Sequence, residues 1–540
     1  MLPKTPFGAL CDRFVGERYA LDPVAATVAG IHDHDHLIGD LTAEGFAARD
    51  AFVERWLDEL ETLDETALSE RERVDRALLL ADLRGDQALR TFERWRRQPG
   101  IYSSAVTSGA YYSLIREGRP LEERLEVLAE RLEHAREALD AGVANLDPDR
   151  TPPVWVVVAG EQATAGAVFV RAVLPTLAPE GSKAKRALLE VGRRAADALE
   201  GYASWLREDL MRRVRGTFAI GPEAVDRILK EKELLDHDWT SLQKFGEDLY
   251  RQTESRLIEA ARVLGDGDWR DSVARLRQDH PDEDGLVETY RTEMERSREA
   301  TAVLGLAALA DGEELLVEPM PEFARPTYPY AAYVGPGPFE RSRRGRFWVT
   351  LPVATDPDSV RRERLEGHPR AGIPIIACHE GYPGHHLQLT LAADLPSPAR
   401  KAVRSNVLIE GWGLYVEELM TELGYLASPE TRLLRLKDLL WRAARVLVDV
   451  GLATGAMNFE QAVGFLIDGP KLERPNAIAE VRRYTLHPLQ PSSYALGRAA
   501  ILDLRERAKG AGWGLRQFHD RLLACGSIPP RLAAAELGLA

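Results

Sequence analysis

The sequence predicts a mainly α-helical protein with one small β-sheet. Apolar residues recur at alternating spacings of four and three along most of the chain, as on one face of a helix. Segments rich in β-branched or aromatic residues are confined to residues 314–353. No stretch has the length and composition of a linker, so the 540 residues are expected to form a single helical domain, 1–540.

The clearest helical stripe lies between Leu121 and Leu139. Its members are Leu121, Leu125, Leu128, Leu132, Ala135 and Leu139. Pro120 precedes the stripe, where a proline suits the start of a helix. Thr42 is a candidate N-cap for an earlier helix that carries Trp56 on its apolar face. Similar stripes predict helices at about 185–212, 243–264, 288–310, 401–425 and 430–456.

Three short segments have the composition of strands. They are Glu314–Glu318, Tyr330–Val334 and Arg346–Val353, and proline and glycine residues bound them. We expect one small sheet at about 314–353, with helices packed on it before and after, directly ahead of the motif at about 373–425.

Charge and cysteine content argue against several classes of protein. The net charge is −15, from 70 basic and 85 acidic residues, which argues against a nucleic-acid partner. The three cysteines, Cys11, Cys378 and Cys525, do not form a disulfide framework. Neither a signal-type apolar region nor a membrane-length apolar run stands out. We therefore expect a cytoplasmic protein without a membrane partner, and the sequence leaves a homodimer open.

The segment Ile373–Gln388 carries the chemistry. Three of the twelve histidines fall within eight consecutive residues of this segment, 379–386, and Glu380 directly follows the first of them, His379. Zinc hydrolases need imidazole and carboxylate ligands and a second carboxylate that takes a proton from water. The usual H-E-x-x-H helix would place its second histidine where this chain has Pro383.

Pro383 decides which histidine is expected to be the second ligand. A proline removes a helical hydrogen bond and clashes with the preceding turn, so with Gly384 it predicts a break. Residues looped out at this break would bring His385 to the metal beside His379. His386, seven residues after His379, is the alternative if the helix is unbroken.

A third ligand is expected from the helix at 401–425. Glu410 follows His385 by 25 residues, enough for a turn and a returning helix. Glu417 lies two turns further on the same face, where it could hydrogen-bond a ligand imidazole. Gly411 and Gly413 each cost the helix roughly 1 kcal/mol relative to alanine, which indicates that something approaches closely there.

Other residues invite a functional interpretation that we set aside. The alternation of histidine and aspartate in Ile31–His36 is more typical of a solvated loop than of a metal site. Cys378 is expected to be a buried thiol, and Trp412 and Tyr415 are expected in the core.

These motifs resemble a known family. The segments His379–Gln388 (HEGYPGHHLQ) and Glu410–Glu417 (EGWGLYVE) look like the signatures of domain-of-unknown-function family 885, a group of zincin-like bacterial proteins. The segment Asp22–His32 is similar to that family's opening, so the resemblance covers nearly the whole chain.

A more distant resemblance is to the carboxypeptidase Taq family of zinc carboxypeptidases. The shared features are His379-Glu380 with Gly384-His385, then Glu410–Glu417, then Ser492–Gly497, in the same order. Tyr382-Pro383 is an insertion relative to that family. The resemblance implies a helical, zincin-like fold around a deep groove with zinc at its floor, and a carboxypeptidase acting on short peptides.

Roles for the remaining residues follow from this hypothesis. Glu380 would be the general base, and the hydroxyl of Tyr494 or Tyr484 would stabilise the tetrahedral intermediate. Arg483 could bind a substrate carboxylate, and His487 is a further substrate-binding candidate. Two alternatives stay open: a zinc hydrolase of a non-peptide amide or ester, and a helical scaffold that binds peptides without cutting them.

Overall fold

The computed structural model describes residues 5–320, 328, 330–352 and 356–540. Helices make up 70% of it and strands 3%, which confirms a mainly helical fold with a small three-stranded sheet. Contacts divide the chain into two units. The first is Met1–Phe218 with Pro336–Ser342 and Pro396–Ala402, and the second is Ala219–Gly335 with Arg343–Leu395 and Val403–Ala540. This division does not test whether the parts fold independently, so the single domain stays a prediction.

Helices account for most of the first unit. In the part of it that the structure describes they are α1 (Pro6–Leu21), α2 (Pro23–Ala29), α3 (Ala43–Glu61), α4 (Glu70–Arg90), α5 (Gly100–Ile115), α6 (Leu121–Glu133), α7 (Ala135–Asn145), α8 (Pro153–Val168), α9 (Lys183–Glu208) and α17 (Pro398–Ala402). Thr42 caps α3 as predicted, since its hydroxyl accepts a hydrogen bond from the Gly45 amide. The predicted stripe is buried except at Leu121, but the chain breaks at His134, so the stripe spans α6 and α7.

One helical stretch of the first unit is strongly apolar. Among the described residues, Pro153–Leu177 is long and apolar enough to cross a membrane, with a mean hydropathy of 1.3. Half of its apolar window is buried inside the protein. Core helices of soluble proteins have the same length and composition, so this stretch is weak support for a membrane span.

The second unit carries the motif segments. Its described helices are α10 (Pro222–Arg227), α11 (Trp239–Val263), α12 (Trp269–Arg277), α13 (Glu283–Val303), α14 (Asp358–Glu366), α15 (Ile373–Glu380), α16 (His385–Ala393), α18 (Asn406–Glu422), α19 (Pro429–Thr454), α20 (Phe459–Asp468), α21 (Arg474–Leu486), α22 (Gln490–Gly510), α23 (Leu515–Ala524) and α24 (Pro530–Leu537). Its strands are β1 (Glu314–Pro319), β2 (Ala331–Val334) and β3 (Arg344–Val349).

The three predicted strands form one mixed sheet. Its order is β1-β3-β2, with β3 parallel to β1 and antiparallel to β2. The third strand ends at Val349, and Val353, included in the prediction, lies outside the described residues. Tyr290 of α13, Phe347 of β3 and Ala377 of α15 are fully buried in one cluster. The helices before and after the sheet therefore share a core with it, which fixes the position of α15.

A glycine contact joins α18 to α22. A Cβ atom on Gly411 would lie 2.4 Å from the Cα of Gly497, and one on Gly497 would lie 1.7 Å from the carbonyl oxygen of Val407. Only glycine at both positions permits this approach. The close approach that Gly411 predicted is thus made by the backbone of α22, whose first turns carry Gln490 and Tyr494.

Candidate metal centre

The chain bends sharply between the two helices of the histidine motif. α15 ends at Glu380, α16 begins at His385, and residues 381–384 form the turn between them. A Cβ atom on Gly384 would lie 1.9 Å from the carbonyl oxygen of His379, so the turn requires glycine there. The break predicted from Pro383 is confirmed, and an unbroken helix from His379 to His386 is excluded.

The bend brings two histidines and a distant glutamate together. One possible ligand atom from each of His379, His385 and Glu410 lies within 4.8 Å of the others. Nε2 of His385 is 3.4 Å from a carboxylate oxygen of Glu410, and the two imidazole rings are nearly perpendicular, 4.7 Å apart. Both histidines are buried and Glu410 is half-buried. Two imidazoles and a carboxylate are a donor set that suits zinc.

Glu417 orients the first histidine. Its carboxylate lies 2.8 Å from Nδ1 of His379, and its side chain is only 1% exposed. This contact leaves Nε2 of His379 available to bind a metal ion, as in the carboxylate–histidine pairs of metal sites. Gly413 makes room for the ring, because a Cβ atom there would lie 2.7 Å from its Cε1 atom. The sequence predicted both features.

Glu410 is held by residues of α22. Nε2 of Gln490 donates to its Oε1 over 3.0 Å. Burial alone would raise the pKa of Glu410, but the hydrogen bond and charge of His385, with smaller effects from His379 and Tyr494, lower it to about 2. The carboxylate is therefore ionised at neutral pH. Sequence reasoning missed Gln490, since nothing local in its segment indicates a contact 80 residues away.

Several polar atoms in or beside the cluster of His379, His385 and Glu410 have no hydrogen-bond partner in the described part of the chain. Within the described residues, Nδ1 of His385, Oε2 of Glu417 and Oε1 of Gln388 are buried and have no hydrogen-bond partner. Burial lowers the pKa of His385, but the hydrogen bond and charge of Glu410, with the charge of Glu380, raise it above its ordinary value. The residues present thus fit a cation, since two imidazoles and an ionised carboxylate converge beside buried polar atoms that have no partner among the described residues.

His386, the alternative ligand, points elsewhere. Its Nδ1 lies 3.0 Å from the hydroxyl of Tyr333 and its Nε2 lies 2.7 Å from a carboxylate oxygen of Glu313. The ring is fully buried. Adjacent residues of a helix project about 100° apart, so His385 and His386 cannot both face Glu410. The structure brings His385 and not His386 into the group.

The predicted substrate residues have different surroundings. Tyr494 stacks near His379, with ring centroids 6.3 Å apart. Tyr484 is buried, and its hydroxyl accepts a hydrogen bond from Nε of Arg445 over 2.8 Å. Arg483 donates to Glu480 over 3.0 Å. His487 is exposed at the end of α21.

A second arginine, which the sequence did not single out, lies beside Tyr494. The guanidinium of Arg445 is 4.8 Å from the Tyr494 ring and is only 6% exposed. Its Nη2 donates to Glu480, while Nη1 is buried without a partner among the described residues. A buried donor without a partner costs free energy, so Nη1 of Arg445 could donate to an acceptor atom of a bound molecule.

The remaining interpretations are mostly as expected. Cys378 is fully buried, and burial raises the pKa of its thiol. Trp412 and Tyr415 are in the core. The Ile31–His36 segment is not simply solvated, because His32 lies 2.8 Å from the buried carboxylate of Asp35.

The whole chain resembles proteins that have no assigned function. The sequence model of a family described as bacterial proteins of unknown function (DUF885) matches residues 23–537. The chain belongs to this family. Among curated proteins, none matches the DUF885 chain.

Two solved structures share the fold of this DUF885 chain. A candidate lipoprotein of unknown function from Shewanella oneidensis has a TM-score of 0.81 and 22% identity, covering 99% of this chain and 100% of its own. A candidate lipoprotein from Colwellia psychrerythraea has a TM-score of 0.80 and 18% identity, covering 98% of each chain. At these identities the likeness shows a common fold only.

Proposed function

We propose that the chain is a zinc-dependent peptidase, an exopeptidase of carboxypeptidase type that acts on short peptides. The observation that carries this proposal is the convergence of His379, His385 and Glu410 to within 4.8 Å, with Glu380 next to the first ligand. The proposed fold is zincin-like, and the distant relation to the carboxypeptidase Taq family is part of the same hypothesis.

The three residues would hold a zinc ion, with Glu417 orienting His379. When bound, such an ion lowers the pKa of water to near neutrality and polarises a carbonyl group. The protein contributes a buried setting, in which an ionised Glu410 and two imidazoles supply the ligand atoms.

Glu380 is the proposed general base. It ends α15 directly after His379, and its negative charge contributes to raising the pKa of His385. Its carboxylate would accept a proton from the attacking water and deliver it to the nitrogen of the leaving amine. A protein that only binds peptides would not need a carboxylate in this place.

Tyr494 is the proposed donor to the oxygen that becomes negative. Burial and the charge of Glu410 raise the pKa of Tyr494 to about 12, so its hydroxyl stays protonated at neutral pH. A protonated hydroxyl beside the ligand group can donate to an oxyanion. Tyr484, the other candidate for this role, has a hydroxyl that accepts a hydrogen bond from Arg445.

Binding of a substrate carboxylate is assigned to the arginines near Tyr494. Arg483 was predicted for this role, and the unpartnered Nη1 of Arg445 favours the same pocket. Two cations near Tyr494, both paired with the single carboxylate of Glu480, leave positive charge for a peptide C-terminus. A homodimer and a cytoplasmic location stay predictions, and the description of both structural relatives as candidate lipoproteins weighs against the second.

The test is a peptide-library digest by wild type and the Glu380→Gln variant, each with measured zinc content. We expect C-terminal trimming that a chelator abolishes and that falls by at least about 100-fold in the variant, which keeps its zinc. Glu363→Gln, a change at an exposed position of α14, is the matched control. Undiminished cleavage by zinc-loaded Glu380→Gln would refute the mechanism. Cleavage of esters or non-peptide amides alone would favour the first alternative, and zinc binding without any turnover would favour the scaffold.

A further inference from the structure

A second buried carboxylate contacts the residue next to the proposed ligand His385. Glu313 precedes β1, and its side chain is 3% exposed. It accepts hydrogen bonds from Nε2 of His386 over 2.7 Å, from Nη2 of Arg298 over 2.8 Å and from the hydroxyl of Tyr382. Burial would raise the pKa of Glu313, but these three partners lower it to about 2, so the group is an anion at neutral pH.

Two of these partners enclose the bend of the histidine motif. Tyr382 lies before Pro383-Gly384 and His386 lies after, so a single carboxylate binds the chain on both sides of this dipeptide. His386 is the immediate neighbour of the ligand His385. The length of the turn and its direction are therefore both tied to Glu313.

The far side of the His386 ring is fixed as well. Its Nδ1 lies 3.0 Å from the hydroxyl of Tyr333 in β2. Gly345 of β3 leaves room for this pair, since a Cβ atom there would lie 2.5 Å from Nδ1 of His386 and 2.6 Å from the Tyr333 hydroxyl. With both ring nitrogens engaged and no exposed surface, the imidazole has a single orientation.

A buried anion is a costly way to close a turn. Desolvating a carboxylate is unfavourable unless every partner is well placed, and apolar packing would often serve stability equally well. What the charged network adds is direction, because hydrogen bonds to an ionised group tolerate little displacement. A metal ligand on a broken helix needs this restraint, since helical hydrogen bonds do not continue across the break from α15 to α16.

We propose that Glu313 is a positioning residue for the metal centre: by holding Tyr382 and His386 it sets the bend that presents His385 to His379 and Glu410. The effect of Glu313 on metal binding rests on the proposed function. The effect of Glu313 on the bend does not, and the two effects can be measured separately.

The first measurement is zinc affinity, by competition with a chelating dye, for the full chain carrying Glu313→Gln or Tyr382→Phe. We expect a ten- to hundred-fold loss of affinity in each, as for other residues that orient ligands. The absorption spectrum of the cobalt-substituted protein should also change. Tyr382→Phe removes only a hydroxyl, so it keeps the test valid if Glu313→Gln folds poorly.

The matched control is Glu293→Gln. Glu293 is also a buried glutamate, and it accepts from the Tyr425 hydroxyl over 2.7 Å and from Arg296 over 2.8 Å, neither of which is a residue of the bend. We expect this variant to lose stability as Glu313→Gln does, with zinc affinity within twofold of wild type. If Glu313→Gln also stays within twofold, or the cobalt spectrum is unchanged, Glu313 is merely structural and the proposal is overturned.

The second measurement is amide hydrogen exchange of residues 381–388 in the metal-free chain. We expect at least tenfold faster exchange in Glu313→Gln than in Glu293→Gln, since the turn loses its anchor. Unchanged exchange overturns the proposal whatever the zinc result. If wild type binds no zinc, the proposed function fails, but exchange still decides whether Glu313 anchors the bend.

Discussion

Replacing Gly413 by alanine tests the geometry of the metal centre directly. The added Cβ would lie 2.7 Å from Cε1 of His379 and 2.8 Å from its Nε2, whereas ordinary contacts begin at 3.4 Å. The ring must therefore retreat by about 0.7 Å, from 3.4 − 2.7. The same movement would stretch its 2.8 Å contact with Glu417 to the limit of a hydrogen bond.

We expect Gly413→Ala to weaken zinc binding by about ten- to hundred-fold, or roughly 1.4–2.7 kcal/mol. Alanine has a higher helix propensity than glycine by about 1 kcal/mol, so a change in helix propensity would not destabilise the metal-free protein. The assay is chelator competition for zinc together with thermal unfolding of the metal-free chain. Gly464→Ala in α20, where a Cβ meets nothing within 4 Å, is the control and should leave zinc affinity unchanged. If Gly413→Ala binds zinc within twofold of wild type, His379 is not a ligand in the orientation described.

Three further predictions test separate parts of the account. Glu417→Gln should keep His379 in place but lower its basicity, so zinc affinity measured by the same competition falls about ten- to hundred-fold. His385→Gln should abolish stoichiometric zinc binding. His386→Gln should keep one zinc per chain and lose about 1–3 kcal/mol of unfolding free energy. If metal analysis instead finds zinc in His385→Gln and none in His386→Gln, His386 is the metal ligand. His32 has a pKa raised to about 9, chiefly by its hydrogen bond with Asp35, so its stabilising contribution is complete below its ordinary pKa of 6.5 and is lost as pH rises through 9. Urea unfolding of wild type and His32→Gln should therefore differ by up to about 3 kcal/mol more at pH 6 than at pH 10, and a constant difference would contradict the raised pKa.

Local signals in the sequence located most of the long helices, the sheet and the three residues of the candidate metal centre. Apolar periodicity located α11, α13, α18 and α19 of the second unit to within seven residues at either end, because it reports which face of a helix is buried, but it did not single out α22. Pro383 predicted the break between α15 and α16 through the geometry of its ring alone. Gly413 predicted a close approach, and the space it leaves is occupied by the imidazole of His379.

Contacts between residues far apart in the sequence could not be predicted. Glu313 bonds His386 across 73 residues, and Gln490 bonds Glu410 across 80. Neither partner has a distinctive local pattern, and a glutamate before a strand is usually solvated. The contact between Tyr484 and Arg445 was missed for the same reason, since only the packing of α19 against α21 brings these two residues together.

The central claim is that a single divalent ion is held by two imidazoles and the carboxylate of Glu410. A crystal structure of the zinc-loaded chain, with anomalous scattering recorded on both sides of the zinc edge, tests it most directly. The account predicts one strong peak per chain within about 2.0–2.2 Å of His379, His385 and Glu410. A zinc peak at other residues, or no peak in protein loaded with excess zinc, would contradict it.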